Sequence, residues 1–266
     1  MSQPILQLPT SRQAYTPLLT SLARLPPKQA APILRGLCQV DLFFLLIHGL
    51  RRIDADRDWL FERCREVQKD PNNRLDLWSR EHYKSTIITF ALTIQDILND
   101  PDITVGIFSH TRPIAKGFLR QIKREFESND FLKQLFPDVL WANPQTEAPK
   151  WSEDEGLIVK RKGNPKEGTV EAWGLVDGQP TSKHYKLMVY DDTVTRESVT
   201  TPDMIAKDVI PDQIEGLPAL AGRQLIVVAS TNLVTGPGMR QGARDLPRLP
   251  YTKEHYRLED LSDSWE

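Results

Sequence analysis

The sequence predicts an α/β fold, in which a mainly parallel sheet is flanked by helices and preceded by a helical N-terminal segment. Strand-like and helix-like segments alternate from about residue 74 onward. Three segments, at 103–109, 186–192 and 224–231, have a largely apolar, β-branched character that is typical of buried strands. Since parallel strands need a crossover connection, which is usually a helix, this alternation favours a parallel sheet.

Length and composition leave the function open. A chain of 266 residues suits one large domain or two small ones, and a net charge of −2 neither requires nor excludes a nucleic-acid partner. Cys38 and Cys64 give no metal-binding spacing and no disulfide framework, which favours a reducing compartment. The most apolar run, 42–50, is far shorter than the roughly 20 residues that cross a bilayer, so we expect a core helix and no membrane partner.

The N-terminal part is predicted to be helical. Residues 1–30 contain five prolines and predict a loose arm with one short helix. Two longer helices are predicted between 32 and 67, the first of which carries the run at 42–50. A turn at 70–73 then leads into the first strand.

Later elements follow from periodicity and from turn residues. A helix from Arg112 to about Ser128 is predicted, with Pro113 in its first turn, and a short helix ends at Pro137. The segments 156–160 and 168–175 alternate and predict a hairpin. A helix is also predicted from 202 to about 209. The apolar face of the helix that begins at Arg112 is predicted to carry Ile114, Phe118, Leu119 and Ile122.

A short basic segment, 78–86 (WSREHYKST), lies between the first strand and an apolar helix. A strand, a tight loop and a helix that opens with Lys, Ser and Thr form the layout of a phosphate-binding loop. The helix N-terminus offers N–H groups, the lysine a cation and the hydroxyl a magnesium ligand. Trp78 and Tyr83 occupy the two glycine positions of the usual pattern. The predicted nucleotide-binding residues are Arg80, Glu81, His82, Tyr83, Lys84, Ser85 and Thr86.

The segment 187–192 (LMVYDD) is an apolar strand that ends in an acidic pair. In a Walker B element the first carboxylate holds magnesium and the second orients or deprotonates the attacking water. We therefore predict that Asp191 is a metal ligand and that Asp192 is catalytic. Because ligands bind at the carboxyl ends of the strands in such sheets, Lys84 and Asp191 are expected at the same edge. The alternative is that the pair only caps a turn.

Hydroxyl side chains follow the last apolar strand. Ser230 and Thr231 stand at its end, where a nucleotide-driven motor can sense the γ-phosphate and couple hydrolysis to movement. We predict a coupling role for both residues. The alternative is a solvated strand end without a function of its own.

The order Lys84, Asp191, Ser230 matches that of a phosphate-loop ATPase. Over roughly residues 40 to 205 the chain resembles the N-terminal ATPase domain of a tailed-phage terminase large subunit, the motor that packages DNA into the prohead. The resembling segments are 76–86 (DLWSREHYKST), 105–112 (VGIFSHTR), 141–144 (WANP), 149–152 (PKWS), 187–192 (LMVYDD) and 195–202 (TRESVTTP).

This resemblance implies an ASCE or RecA-like P-loop NTPase fold that hydrolyses ATP with Mg²⁺. It implies that Lys84 and Arg80 contact the β- and γ-phosphates and that Ser85, or Thr86, binds magnesium with Asp191. Asp192 would be the catalytic carboxylate, where many relatives have Glu. The implied partners are double-stranded DNA, a terminase small subunit, the portal and prohead, and further copies of the chain in a ring, in the cytoplasm of a bacterial host.

Several other charged residues have two interpretations. Arg112 and Arg196 are candidates for an arginine finger or ordinary ion-pairing residues. His82 and His110 have no partner at ligand spacing, so we assign them no metal. One helix face could contact DNA phosphates or simply be solvated, and it carries Lys116, Arg120, Lys123 and Arg124.

The resemblance fades after about residue 205. We predict a helical segment at 1–70, a P-loop ATPase core at 71–232 and an irregular C-terminal tail at 233–266, with no RNase H-like nuclease activity. Two further hypotheses stay open: a truncated or frame-shifted prophage remnant that binds nucleotide without packaging DNA, and a helicase-like ATPase unrelated to packaging. The absence of a second RecA-like domain argues against the helicase.

Overall fold

A mixed sheet of eight strands forms the centre of the structure. The computed structural model describes residues 8–69, 74–78, 82–177, 182–193, 224–230 and 254–257. The strands are β1 (Arg74–Trp78), β2 (Val105–Ser109), β3 (Trp151–Ser152), β4 (Gly156–Leu157), β5 (Val170–Gly174), β6 (Leu187–Asp191), β7 (Gln224–Ser230) and β8 (Glu254–Arg257).

Helices precede the sheet and connect several of its strands. They are α1 (Tyr15–Ala23), α2 (Pro27–Val40), α3 (Leu42–Gly49), α4 (Asp58–Lys69), α5 (Thr86–Asn99), α6 (Arg112–Ser128), α7 (Asp130–Leu135) and α8 (Pro144–Glu147), with short 3₁₀ turns at Arg12–Ala14 and Ile53–Ala55. Both α3 and α5 contain π-helical turns, at Leu45–Gly49 and Thr86–Leu92.

The strand order across the sheet is β3-β4-β5-β2-β6-β7-β1-β8. The five central strands, from β5 to β1, pair in parallel, whereas β8 is antiparallel to β1 and the short β3 and β4 are antiparallel to their neighbours. The prediction of an α/β fold with a mainly parallel sheet flanked by helices is therefore confirmed. The carboxyl ends of all five parallel strands lie at one edge.

One continuous apolar core joins the N-terminal helices to the sheet. Val105, Ile107 and Val189 point from the sheet into this core, where they pack with residues of α2 to α7. The opposite face of the same strands carries a separate cluster, in which the rings of Phe108 and Tyr190 stack with their centroids 4.8 Å apart. The N-terminal helices thus share a core with the sheet.

The prediction of one helix from 32 through the run at 42–50 is wrong. The chain bends by 108° between α2 and α3, at Asp41. The Asp41 side chain accepts a hydrogen bond from the backbone N–H of Phe44 and so caps the N-terminus of α3. No described helix is by itself long and apolar enough to cross a bilayer; α2 and α3 reach that length only together, across the bend.

The predicted hairpin forms in part: β5 pairs antiparallel with β4 at Val170 and Leu157, and it also runs parallel to β2 along its whole length. Two further expectations need correction. The tail predicted to be irregular contains β8, which extends the edge beside β1. Ile114 is 37% exposed, because α6 instead buries Ala115, Leu119, Ile122 and Phe126. The segments 70–73 and 202–209 lie outside the described residues.

A buried charged cluster holds the N-terminal helices together. The fully buried Asp41 accepts hydrogen bonds from the hydroxyl of Tyr15, at 2.6 Å, and from the guanidinium of Arg65, at 2.8 Å. These contacts join α1 and α4 to the junction of α2 and α3. Because a buried carboxylate is costly without partners, the three side chains depend on one another.

Replacing Asp41 with Ala is expected to lower the free energy of unfolding by about 3 kcal/mol, since it removes the carboxylate that balances the charge of Arg65 and caps the N-terminus of α3. Urea denaturation of the variant and the parent measures the difference. Asp58→Ala is the control, because Asp58 forms a largely exposed ion pair with Arg12 and its loss should lower the free energy of unfolding much less. Equal effects of the two substitutions would contradict this account.

Candidate functional site

The candidate site lies at the carboxyl edge of the sheet. Strands β1 and β6 are separated only by β7, whose last residue, Ser230, is opposite Trp78 in the β1 register. On β6, Asp191 is opposite Val228 of the same intervening strand. The carboxyl end of β1 and the acidic pair at the end of β6 therefore lie at the same edge of the sheet, as the sequence predicted.

Tyr83 has a left-handed backbone conformation, with φ 61°. Only glycine adopts this conformation without steric cost, and Tyr83 occupies a position where the usual phosphate-loop pattern has glycine. The Tyr83 hydroxyl donates a hydrogen bond of 3.2 Å to the carbonyl of Asp54, which fastens the loop to the N-terminal helical part. The backbone thus has the conformation that favours glycine, although the residue is tyrosine.

Helical structure begins at Lys84 and continues through α5. The first hydrogen bond along the helix runs from the N–H of Ile87 to the carbonyl of Tyr83, at 2.8 Å. The amides of Ser85 and Thr86 precede that bond, at the end where a helix attracts anions. This geometry suits a phosphate group.

The central contact of the site joins α5 to β6. The hydroxyl of Thr89 donates a hydrogen bond of 2.6 Å to Oδ2 of Asp191, and both side chains are fully buried. The helix that begins at the loop is therefore fixed directly to the acidic strand. Thr89 was not among the predicted residues, and the signal that could have identified it is a hydroxyl four positions after Ser85 in the same helix.

The surroundings of Asp191 act on its pKa in both directions. Burial raises the pKa, while the hydroxyls of Thr89 and Ser85 and the ammonium of Lys84 lower it; the charge of Asp192 raises it further. Burial prevails, so the pKa of Asp191 lies above its ordinary value. Four polar residues, Thr89, Ser85, Lys84 and Asp192, thus act on the ionisation of one carboxylate.

One oxygen of Asp191 is suited to binding a cation. Its Oδ1 is buried and has no hydrogen-bond partner among the described residues. A buried acceptor without a partner costs about 1–3 kcal/mol and is a common mark of a functional site. Magnesium in nucleotide sites takes one or two protein oxygens besides phosphate and water, so the Ser85 and Asp191 oxygens fit such an ion. The described residues hold no cluster of three or more His, Cys, Asp or Glu side chains suited to a metal.

Asp192 also has a left-handed backbone conformation, with φ 53°. Its carbonyl accepts hydrogen bonds from the hydroxyl of Ser109 and the N–H of His110, both at 3.3 Å. The end of β2 thereby holds the strained residue in place. The Asp192 side chain is half-buried and lies at the surface of the site.

Some of the remaining predicted residues lie outside the described part of the chain, and the others lie close to the carboxyl edge of the sheet. Arg80, Glu81 and Thr231 lie outside the described residues, and so does Arg196. Ser230 ends β7, one strand away from Asp191. Thr86 lies in the first turn of α5, and His82 is exposed in the loop.

Arg112 and the basic face of α6 are engaged within the chain. The Arg112 guanidinium donates to the carbonyl of Asp154 and lies 5.5 Å from the centre of the Trp173 ring. On the same helix, Lys116 pairs with Asp154, Arg120 with Glu153 and Lys123 with Glu127. The acidic turn between β3 and β4 therefore covers much of the face that the sequence offered for DNA.

In comparisons with known proteins, no family model matches the chain and no curated protein sequence is significantly similar to it. The site is accordingly interpreted from its own geometry and chemistry.

In metal-free buffer, Asp191→Asn is expected to raise the free energy of unfolding at pH 8. Because burial raises the pKa of Asp191 in the folded state, the folded protein binds more protons than the unfolded chain above the ordinary aspartate pKa, and stability falls as pH rises. Asparagine carries no charge and can still accept the Thr89 hydrogen bond. Thermal unfolding between pH 4 and pH 8 measures the difference, which should shrink toward pH 4.

Asp54→Asn is the control of opposite sign. The guanidinium of Arg52 lowers the pKa of Asp54 to about 2, so the parent gains stability from this carboxylate above the ordinary aspartate pKa and loses it in acid. The Asp54 variant should therefore be less stable than the parent at pH 8. An Asp191→Asn variant that is less stable than the parent at pH 8 would contradict the pKa assignment.

Proposed function

We propose that this chain is a magnesium-dependent ATPase, the motor domain of a phage terminase large subunit. The observation that carries the proposal is the buried hydrogen bond to Asp191 from Thr89, which lies on the helix that opens with Lys84 and Ser85. A lysine and a hydroxyl at a helix start, together with a carboxylate at the end of another parallel strand of the same sheet, are the parts that phosphate-loop ATPases use to hold a nucleotide.

The strand order also supports a P-loop NTPase fold of the ASCE type. In that division another strand separates the strand before the phosphate loop from the strand that carries the acidic pair. Here β7 lies between β1 and β6. Ser230, at the end of β7, stands between the two halves of the site, which suits a residue that couples nucleotide state to movement.

Each residue then has a distinct task. Lys84 and the amides of the first turn of α5 bind the phosphates, with Arg80 as a further cation from the same loop. Ser85 and Asp191 would hold Mg²⁺, which when bound neutralises charge on the β- and γ-phosphates. Asp192 orients the attacking water and accepts its proton as the water oxygen bonds to the γ-phosphorus and the bond to ADP breaks.

The proposed output is translocation of double-stranded DNA into a prohead, in the cytoplasm of a bacterial host. Work of this kind requires a ring of subunits mounted on a portal, with a small subunit that delivers the DNA. These partners rest on the sequence resemblance in the segments 76–86 and 187–192.

Lys84→Ala and Asp192→Asn are expected to lower the steady-state rate of ATP hydrolysis by about 100-fold or more, because each removes a charge that acts on the reacting phosphate. Phosphate release in the presence of Mg²⁺ measures the rate. Lys28→Ala, at an exposed lysine of α2, is the matched control and should leave the rate unchanged. Unchanged turnover in both site variants, in a parent that hydrolyses ATP, would refute the assigned roles.

A second function, nucleotide binding without turnover, as in a prophage remnant, is favoured by one feature. Asp192, the proposed catalytic carboxylate, is shorter than the glutamate that many members of the resembled terminase family have at this position.

Equilibrium binding and single-turnover hydrolysis by the parent protein separate the two functions. A motor domain binds MgATP and converts it to ADP, whereas a remnant binds MgATP and leaves it intact. In both cases Lys84→Ala should weaken binding. A parent protein that binds no nucleotide would exclude both functions.

A further inference from the structure

Trp59 exposes part of a large apolar ring beside the candidate site. It lies in the first turn of α4 and is 39% exposed. A flat apolar ligand that covers the exposed part of this ring would remove apolar surface from water, which is favourable.

The ring of Trp59 faces the phosphate loop. Its centroid is 5.7 Å from that of His82, at an interplanar angle of 55°, and 6.4 Å from that of Tyr83, at 67°. His82 and Tyr83 directly precede Lys84, and two residues of chain span at most about 7 Å. Trp59 is therefore within the length of a nucleoside triphosphate from the proposed phosphate position.

The position of the ring is fixed relative to Lys84. The Tyr83 hydroxyl donates a hydrogen bond to the carbonyl of Asp54, which is only five residues before Trp59 in the chain. On its other side Tyr83 begins the hydrogen-bonded structure of α5, through its carbonyl. A ligand whose phosphates bind at the start of α5 thus meets a preorganised aromatic surface at a constant distance.

We propose that Trp59 stacks on the base of the nucleotide whose phosphates bind at Lys84 and Ser85. This inference rests on the proposed ATP site and adds a positioning residue from the N-terminal helical part. A base presents a flat π-face, and an indole ring stacks on any of the four bases without reading their edges. Trp59 therefore contributes affinity for nucleoside triphosphates in general.

Two ligands distinguish stacking from a purely structural role: MgATP, and magnesium tripolyphosphate, which has the phosphates without the base. Trp59→Ala is expected to weaken MgATP binding about 10-fold, as the loss of one stacked base predicts, and to leave tripolyphosphate binding unchanged. The same substitution should weaken the binding of MgGTP by a similar factor. Trp59→Phe should recover part of the affinity because it keeps a ring. Isothermal titration calorimetry measures all of these affinities.

Matched variants make each outcome decisive. Ile114→Ala, at an apolar residue of similar exposure on α6, should change neither affinity. Lys84→Ala should weaken the binding of both ligands. If Trp59→Ala leaves MgATP binding unchanged, or weakens both ligands equally, the stacking role is wrong while the phosphate site stands. If the parent binds neither ligand, the proposed function fails and the stacking role fails with it.

Discussion

The hydrogen bond between Thr89 and Asp191 is the contact on which the site depends. It joins the helix that follows the first strand to the carboxyl end of β6, across the intervening β7. Because both side chains are buried, the bond forms in surroundings of low dielectric constant, where it is strong and where its loss would leave a carboxylate without a donor. The start of α5 is thereby held against the acidic strand, and Lys84 and Ser85 are brought close enough to Asp191 to alter its pKa.

The same region contains backbone strain at two positions. Tyr83 and Asp192 both have positive φ values, and such conformations cost about 1–2 kcal/mol per residue. Each is held by hydrogen bonds from other elements: the hydroxyl of Tyr83 reaches Asp54, and the carbonyl of Asp192 receives donors from the end of β2. Strain maintained in this way orients the loop and the second carboxylate before any ligand arrives. The positive φ values of Tyr83 and Asp192 lower the stability of the fold, and the hydrogen bonds fix the geometry of both residues.

Local sequence patterns were sufficient for much of the fold. Strands β6 and β7 could be predicted from continuous apolar runs, and α6 from its amphipathic period and Pro113. The bend at Asp41 could not, since it depends on partners in two other helices. Strand β8 could not be predicted either, since its sequence has no apolar pattern. It is an edge strand that pairs through its backbone with β1. In the site, the lysine and the carboxylates were visible as motifs, whereas Thr89 acts only through a contact 102 residues away.

The central claim is that the start of α5 and the end of β6 form one phosphate and magnesium site. The most direct measurement is a crystal structure of the protein with a non-hydrolysable ATP analogue and Mn²⁺ in place of Mg²⁺, in which anomalous scattering locates the metal. The account predicts a manganese peak beside the Ser85 hydroxyl, within reach of Asp191, with the triphosphate along the first turn of α5. A triphosphate bound elsewhere, or a metal peak away from these two residues, would contradict it.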